Sequence, residues 1–95
     1  MSGYVIVGLD VTDPEGFAEY AKPVPPIIEA YGGKYLVRGG DHETTEGDWN
    51  PKRVVILEFE SVERAKEMFA SEEYAPVGEI RHRTAKSSVV IVEGV

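Results

Sequence analysis

The sequence contains no cysteine among its 95 residues and no hydrophobic run long enough to cross a membrane. The absence of cysteine excludes disulfide bonds, thiolate catalysis and zinc sites with cysteine ligands. Basic residues are also scarce: ten Lys and Arg stand against 17 Asp and Glu, which gives a formal net charge of −7. Because that charge repels phosphate backbones and anionic lipids, we expect neither nucleic acid nor a membrane surface as a partner.

Motifs for metals and cofactors are missing as well. The two histidines, His42 and His82, lie far apart and have no carboxylate at a ligand spacing such as HExxH. Gly39 and Gly40 follow a predicted strand but open no helix, so they do not form a phosphate-binding loop. We therefore predict no metal and no cofactor. The amino-terminal residues are typical of a first strand rather than a signal peptide, so we expect a cytoplasmic protein.

What is present indicates one small α+β domain over residues 1–95. Hydrophobic residues make up 42% of the chain and charged residues 28%, which is ordinary for a globular protein. A chain of this length leaves much of its surface uncovered when it folds alone, and pairing with a second copy is a common remedy.

The first half of the sequence predicts a strand, a broken helix and a second strand. Tyr4 to Asp10 is rich in β-branched residues and typical of a strand. Asp13 and Pro14 then mark a helix start. We expect a break near Lys22 to Pro25, since Pro23 lacks the N–H that the helix needs there. A second short helix is predicted from Pro26 to Tyr31, followed by the strand Lys34 to Arg38.

The second half repeats this pattern after a turn at Glu46 to Pro51. A strand is predicted from Arg53 to Glu60, and Ser61 is a candidate cap for the helix that follows it. Another short helix is expected around Tyr74 to Ala85, and the last strand from Ser88 to Glu93. This order predicts a ferredoxin-like βαββαβ sandwich whose antiparallel sheet has the strand order last, first, third, second.

Both faces of this sheet are apolar. One predicted face carries Val5, Val7, Leu9, Tyr35, Val37, Val55, Leu57, Phe59, Val90 and Val92, and we expect it to meet the helices. The other predicted face carries Tyr4, Ile6, Leu36, Val54, Ile56, Val89 and Ile91. Since both helical segments lie on the same side of such a sheet, the second face has no cover within one chain. An apolar patch of that size is typical of an interface, so we predict a homodimer with its sheets packed face to face.

Several short motifs resemble those of a known family. They are Tyr31-Gly32-Gly33, Val37-Arg38-Gly39-Gly40, Glu46-Gly47-Asp48-Trp49 and Glu58-Phe59. Together with Asp13-Pro14 and the closing Val92 to Val95, they make the chain similar to the domain-of-unknown-function family 1330. This resemblance implies a dimeric α/β-barrel fold and no established reaction. The proline-dense segment from Lys22 to Pro26 departs from the family pattern.

Arg38 and Glu58 are the candidate catalytic residues. The alternation of the predicted strands places both on the otherwise apolar open face, and they lie on adjacent strands that would bring them together. One interpretation is an arginine that binds a carboxylate or enolate, with Glu58 as a base or as the residue that orients Arg38. The other is a buried ion pair whose two members satisfy each other.

Candidate substrate-binding residues are Tyr20, Trp49, Arg53 and Tyr74. Trp49 is either an aromatic wall of a cavity or an anchor that packs at the barrel end or on a partner subunit, and we favour the anchor. Arg53 is a candidate clamp for the acidic residues of the preceding loop. Tyr20 and Tyr74 occupy similar places in the two halves, and each offers a hydroxyl to a cavity or simply packs in the core.

A basic cluster runs from Arg81 through His82 and Arg83 to Lys86. We interpret it as cations that complement the dipole at a helix end; the alternative is an anion-binding patch.

Two functions follow as hypotheses. The first is a pocket on the open sheet face that binds a small organic acid or an oxygenated aromatic, in a protein that either only binds it or catalyses cofactor-free proton transfer or oxygenation. The second is a non-catalytic homo-oligomeric sensor or interaction module whose barrel is filled by its own side chains. A pocket of roughly 300 Å³ or more favours the first hypothesis, and a solidly packed barrel favours the second.

Overall fold

A computed structural model covers residues Met1–Val95 and shows four strands and four helices. In chain order they are β1 (Gly3–Val11), α1 (Pro14–Ala21), α2 (Val24–Ala30), β2 (Lys34–Arg38), β3 (Arg53–Phe59), α3 (Val62–Phe69), α4 (Ala75–Thr84) and β4 (Ala85–Glu93). Each half of the predicted βαββαβ unit thus contains a pair of short helices. The sheet order is β2-β3-β1-β4 with antiparallel neighbours, which confirms the predicted ferredoxin-like fold and strand order.

Two helix starts are set by side-chain caps that the sequence predicts. The Asp13 carboxylate accepts a hydrogen bond from the Gly16 N–H at 3.1 Å, and the Ser61 hydroxyl accepts one from the Arg64 N–H at 3.1 Å. Each cap satisfies a backbone donor that has no partner inside its helix. The two βαβ halves therefore begin their helical segments in the same way.

The proline-dense segment divides the first helical region as expected, but α2 begins at Val24 rather than at Pro26. Pro25 and Pro26 occupy the first turn of α2, where a missing N–H removes no hydrogen bond. The left-handed φ of 77° at Gly32 follows the end of this helix and turns the chain into β2.

The hydrophobic core lies between the sheet and the helices. It consists of Val5, Val7, Leu9, Val24, Ile28, Leu57, Phe59, Ala65, Met68, Tyr74, Val77 and Ala85. Its strand members come from alternate positions of the two central strands, β1 and β3, so they share one face of the sheet.

The side-chain directions predicted for β4 are wrong. Ile91 lies opposite Val5, and Val89 lies opposite Val7, so both belong to the helix-covered face. Val90 is instead opposite Ile6 on the other face. The four consecutive apolar residues Val89 to Val92 show no alternation that would indicate which side chains face the helices. The pairing of β4 with β1 determines it.

The end of β2 also differs from the prediction because a β-bulge interrupts its pairing with β3. Tyr35 lies opposite Leu57, yet Val37 lies opposite Ile56, which leaves Leu36 as an extra residue. Each residue after the bulge therefore points to the face opposite to that expected from simple alternation. Arg38, opposite Val55, is on the helix-covered face.

The other face of the sheet, called the open face below, has no helix across it. Its apolar members are Tyr4, Ile6, Val37, Val54, Ile56, Val90 and Val92. Within the single chain Val90 is 53% exposed and Val92 is 43% exposed. The predicted apolar surface is thus present, with a partly different membership.

Candidate functional site

A cavity of about 70 Å³ lies on the helix-covered side of the sheet. It is lined by 17 residues, of which 14 are hydrophobic, and the remaining three are Arg38, Arg53 and Arg81. No acidic residue and no histidine lines it. The cavity is therefore an apolar space whose charged groups are all guanidinium groups. It lies on the helix-covered face of the sheet, whereas the sequence predicts the pocket on the open face.

Arg38 and Arg53 form the mouth of the cavity, where both side chains are exposed to solvent. The β2 bulge directs Arg38 to this side, and its guanidinium carbon lies 4.4 Å above the centre of the Tyr35 ring. This cation–π contact holds the guanidinium at the edge of the apolar lining. Arg53 is the first residue of β3, directly opposite the core residue Leu9.

Gly39 is needed for this arrangement. Its φ of 73° is in the left-handed region, and a Cβ atom there would lie 2.6 Å from Nη1 of Arg53. A side chain at this position would strain the backbone and collide with the guanidinium. The glycine that follows Arg38 thus leaves room for the Arg53 guanidinium.

Arg81 forms the inner end of the cavity and is only 7% exposed. Its Nε donates to the Tyr74 hydroxyl at 3.3 Å, and its Nη1 donates to the Ser87 hydroxyl. Its Nη2 lies 3.3 Å from Nε2 of His82. None of these partners is a carboxylate, so the positive charge is buried without an opposite charge beside it.

Three tyrosine side chains, Tyr20, Tyr35 and Tyr74, also line the cavity. The hydroxyls of Tyr20 and Tyr74 are 3.0 Å apart, and their rings meet edge to face at 6.5 Å. Burial raises the pKa of Tyr20 above its ordinary value of 10.0, and the neighbouring Tyr74 raises it further. Burial also raises the pKa of Tyr35, although the guanidinium groups of Arg38 and Arg53 partly oppose this effect. Tyr20 and Tyr35 are therefore neutral hydroxyl donors at neutral pH rather than phenolate bases.

The predicted pair of Arg38 and Glu58 does not form. Glu58 lies on the open face, where it is opposite Lys34 across the strands and its carboxylate is 3.1 Å from Nζ of that lysine. It also accepts a hydrogen bond from the Tyr4 hydroxyl at 3.1 Å. The Lys34 ammonium, followed by hydrogen bonds from Ser2 and Tyr4, lowers the pKa of Glu58. The bulge is the physical reason for the error, because it turns Arg38 to the other side of the sheet.

Trp49 does not line the cavity either. Its ring packs on the open face against Gly8, where a Cβ atom would lie 2.7 Å from Cζ2 of the indole, and it remains 52% exposed. Arg53 makes no ion pair with the loop acids that the sequence suggests for it. The loop over residues 39–52 is closed instead by His42, whose nitrogens contact the carbonyls of Gly40 and Pro51.

Arg81 is a site residue that the sequence names only as part of the basic cluster, for which we favour a role at the helix end over an anion-binding patch. The helix-dipole interpretation treats the four members of the cluster alike, whereas only Arg81 among them is buried. A usable signal exists on α4 and its N-cap residue: Tyr74, Val77, Gly78 and Arg81 recur at i, i+3, i+4 and i+7, and all four are buried. An arginine in register with such a stripe points inward.

None of the four helices has the length and apolar content that a membrane crossing requires. No group of three or more His, Asp or Glu side chains is close enough together to hold a metal ion.

Comparisons with known proteins agree with the fold. The family model described as "Domain of unknown function (DUF1330)" matches residues 2–95. A protein of unknown function from Rhodopseudomonas palustris is similar in structure with a TM-score of 0.79 at 20% identity, over 99% of this chain and 82% of that chain. No curated protein matches the chain.

Two further solved structures share the fold at lower similarity. A dimeric protein of unknown function with a ferredoxin-like fold from Bacteroides fragilis has a TM-score of 0.63 at 15% identity, over 98% of this chain and 96% of that chain. SnoaB, a cofactor-independent oxygenase from Streptomyces nogalater, has a TM-score of 0.62 at 8% identity, over 99% of this chain and 93% of that chain.

Proposed function

The chain belongs to the family described as a domain of unknown function (DUF1330), and from this premise we propose that it is a homodimer whose subunits each bind a small organic acid or an oxygenated aromatic compound. The binding site is the cavity between the sheet and the helices. The observation that carries the proposal is the charge of that cavity: the protein has a net charge of −7, yet every charged group that lines the cavity is an arginine.

This concentration of arginine favours an anionic ligand. The sequence contains five arginines, and three of them line this one cavity. A guanidinium group stays charged at any physiological pH and presents paired N–H donors that match the two oxygens of a carboxylate. The apolar remainder of the lining suits a hydrocarbon body, so the expected ligand combines a small apolar part with an ionised oxygen group.

The lining also limits the chemistry. It offers no carboxylate or imidazole that could remove a proton from a bound molecule. A ligand therefore enters already ionised, as a carboxylate, an enolate or an acidic phenolate. Arginine and neutral tyrosine hydroxyls would stabilise such an anion. If the protein is an enzyme, this favours cofactor-free oxygenation over proton abstraction, and the fold that it shares with the oxygenase SnoaB is compatible with that activity.

The dimer rests on the open face. Its seven large apolar side chains are half-buried or exposed in the single chain, and completing the burial of each would gain at most roughly 1.5–3 kcal/mol. The similar protein from Bacteroides fragilis is dimeric. In the proposed dimer Trp49, which lies on this face, packs against the second copy, in agreement with the anchor interpretation. Glu58, on the same face, retains Lys34 and Tyr4 as partners and takes no part in ligand binding.

A ligand screen tests the binding site. We expect small carboxylates and acidic phenols to raise the thermal unfolding temperature of the wild type, and Arg38→Met to weaken this effect because one guanidinium at the mouth is lost. Arg64→Met is the matched control, since Arg64 is outside the cavity and pairs with Glu67 at 2.8 Å. Equal responses of the wild type and Arg38→Met would remove Arg38 from the site, and no response to any anion would contradict the proposal.

The small volume of the cavity supports a second candidate function. At about 70 Å³ it is below the roughly 300 Å³ of an ordinary small-molecule pocket. This favours a non-catalytic sensor or interaction module over an enzyme for a large aromatic substrate. Oxygen consumption separates the two: an oxygenase depletes dissolved oxygen in the presence of a bound phenol or enol, whereas a sensor binds the same compound without consuming oxygen.

A further inference from the structure

The buried Arg81 is the most unusual charged group in the molecule. The chain forms three ion pairs, Lys34–Glu58, Lys52–Asp10 and Arg64–Glu67, and none of them includes Arg81. A guanidinium group that is only 7% exposed has lost most of its hydration, and a buried charge is normally paired with an opposite charge. The structure thus contains a cation at the inner end of the cavity for which the chain supplies no anion.

Arg81 also has hydrogen-bonding capacity to spare. A guanidinium group carries five N–H donors, and three contacts hold this one in place, to Tyr74, Ser87 and His82. These contacts fix the orientation of the group without neutralising it. An arginine that is held rigidly, desolvated and short of acceptors is prepared to bind a planar, charged acceptor.

The two ends of the cavity differ in their expected roles. Arg38 and Arg53 at the mouth are exposed, so water and salt weaken their attraction for an anion. Arg81 at the inner end is out of water, where the same attraction is stronger. The mouth therefore draws an anion toward an otherwise acidic protein, and the inner end holds it.

We propose that the inner end of the cavity is a carboxylate-binding site, in which the Arg81 guanidinium and the Tyr74 hydroxyl bind the ionised group of a compact monocarboxylic acid. This inference rests on the proposed function and names the ligand class and its orientation. The hydrocarbon part lies among apolar side chains such as Val7, Leu9, Val24 and Leu57. The volume of about 70 Å³ limits that part to a few carbon atoms.

The same lining disfavours inorganic phosphate and sulfate. These anions have no hydrocarbon part to fill the apolar lining, and they need donors around all their oxygens. Apart from the three arginines and the hydroxyls of Tyr20, Tyr35 and Tyr74, the lining contains no polar side chain, so a bare anion would face mostly apolar walls. A short branched acid such as isobutyrate matches both halves of the site.

Chemical-shift titrations of the folded protein test this inference with three probes: isobutyrate, its neutral analogue isobutyramide, and inorganic phosphate. We expect isobutyrate to bind more tightly than isobutyramide and to shift the resonances of Tyr74 and Ser87. Arg81→Met should weaken isobutyrate binding by roughly ten- to a hundredfold, the usual effect of losing a charged hydrogen bond, and weaken isobutyramide binding much less, because the neutral amide loses only an ordinary hydrogen bond. Arg64→Met should change neither.

The stability of Arg81→Met separates binding from a structural role. Since Arg81 is buried without an opposite charge, a methionine of similar length should leave the unfolding temperature equal or higher. If this variant does not fold, Arg81→Lys, which keeps the charge but loses the paired donors, should still weaken isobutyrate selectively. Equal affinity of the wild type for isobutyrate and isobutyramide would overturn the inference while leaving a small-molecule cavity in place. Failure of both compounds to bind would overturn the proposed function as well.

Discussion

At the scale of single residues, Tyr20 shows how burial determines chemistry in this cavity. Its hydroxyl is partly buried, meets only another tyrosine hydroxyl at 3.0 Å, and has a raised pKa for that reason. A raised pKa in the folded state means that the neutral phenol contributes stability below the ordinary pKa of 10.0 and that this contribution is lost as the pH rises above it. Tyr20 therefore favours the folded state at neutral pH and opposes it in strong alkali.

A spectrophotometric titration at alkaline pH tests this. The chain contains five tyrosines, and we expect the phenolate absorbance of Tyr20 to appear only as the protein unfolds in alkali. Tyr20→Phe should remove that late component. In urea all tyrosines should titrate together near pH 10, which provides the control. A Tyr20 component that titrates near pH 10 in the folded protein would show that its hydroxyl is reached by water.

Among the site residues, sequence alone could place Tyr20 and Tyr74 at echoing positions of the two halves, but it could not place Arg38. The direction of Arg38 depends on one extra residue, Leu36, in β2. Such a bulge cannot be recognised from the sequence, because Leu36 and Val37 are both suited to a regular strand. Its consequence is large, because it moves a charge from one face of the sheet to the other.

At the scale of elements, β1 and β3 could be predicted to within one residue at each end, and β4 only in part. The central strands pair on both sides, and their residues Val5, Leu57 and Phe59, predicted to face the helices, are buried in the core. In β4 the run Ser88 to Glu93 places large apolar residues on both faces. The sequence therefore predicts the strand, but not which of its side chains face the helices. The strand also begins earlier than predicted, at Ala85, because α4 passes into β4 without a loop.

The loop over residues 39–52 provides a prediction at this scale. Nε2 of His42 lies 2.6 Å from the Pro51 carbonyl and Nδ1 lies 3.2 Å from the Gly40 carbonyl. Only the protonated imidazole can donate to both. The hydrogen bond to Pro51, followed by the one to Gly40, raises the pKa of His42 above its ordinary value of 6.5. The clamp should therefore be complete at acidic pH and weaken as the pH rises through the raised pKa.

Two measurements follow for this loop. The ring protons of His42 should titrate with a midpoint above pH 6.5 by NMR. Since Trp49 is the single tryptophan and belongs to this loop, His42→Ala should increase quenching of its fluorescence by acrylamide. His82→Ala is the matched control, because His82 lies outside the loop. Unchanged quenching in His42→Ala would mean that the hydrogen bonds of Thr44 to Trp49 and Asn50 hold the loop without the histidine.

At the scale of the whole molecule, the open face and the net charge oppose each other. Two copies that each carry a charge of −7 repel one another, whereas the burial of two apolar sheet faces attracts them. At physiological ionic strength the repulsion is screened beyond about 8 Å, while burial of apolar area is affected much less. The dimer should therefore tighten as salt is added, unlike an assembly that is held by ion pairs.

A substitution on the open face, in the edge strand β4, tests the dimer. Val90 is 53% exposed in the single chain, so Val90→Asp should cost the monomer little, but it would place a charge without a partner inside the proposed interface. We expect sedimentation velocity to show a dimer for the wild type at micromolar concentration and a folded monomer for Val90→Asp. Val95→Asp adds the same charge at an exposed position off the sheet and should remain a dimer. A wild type that sediments as a monomer at high salt would contradict the homodimer. The binding of carboxylates on the helix-covered side could still be measured in the same sample, because it does not depend on the open face.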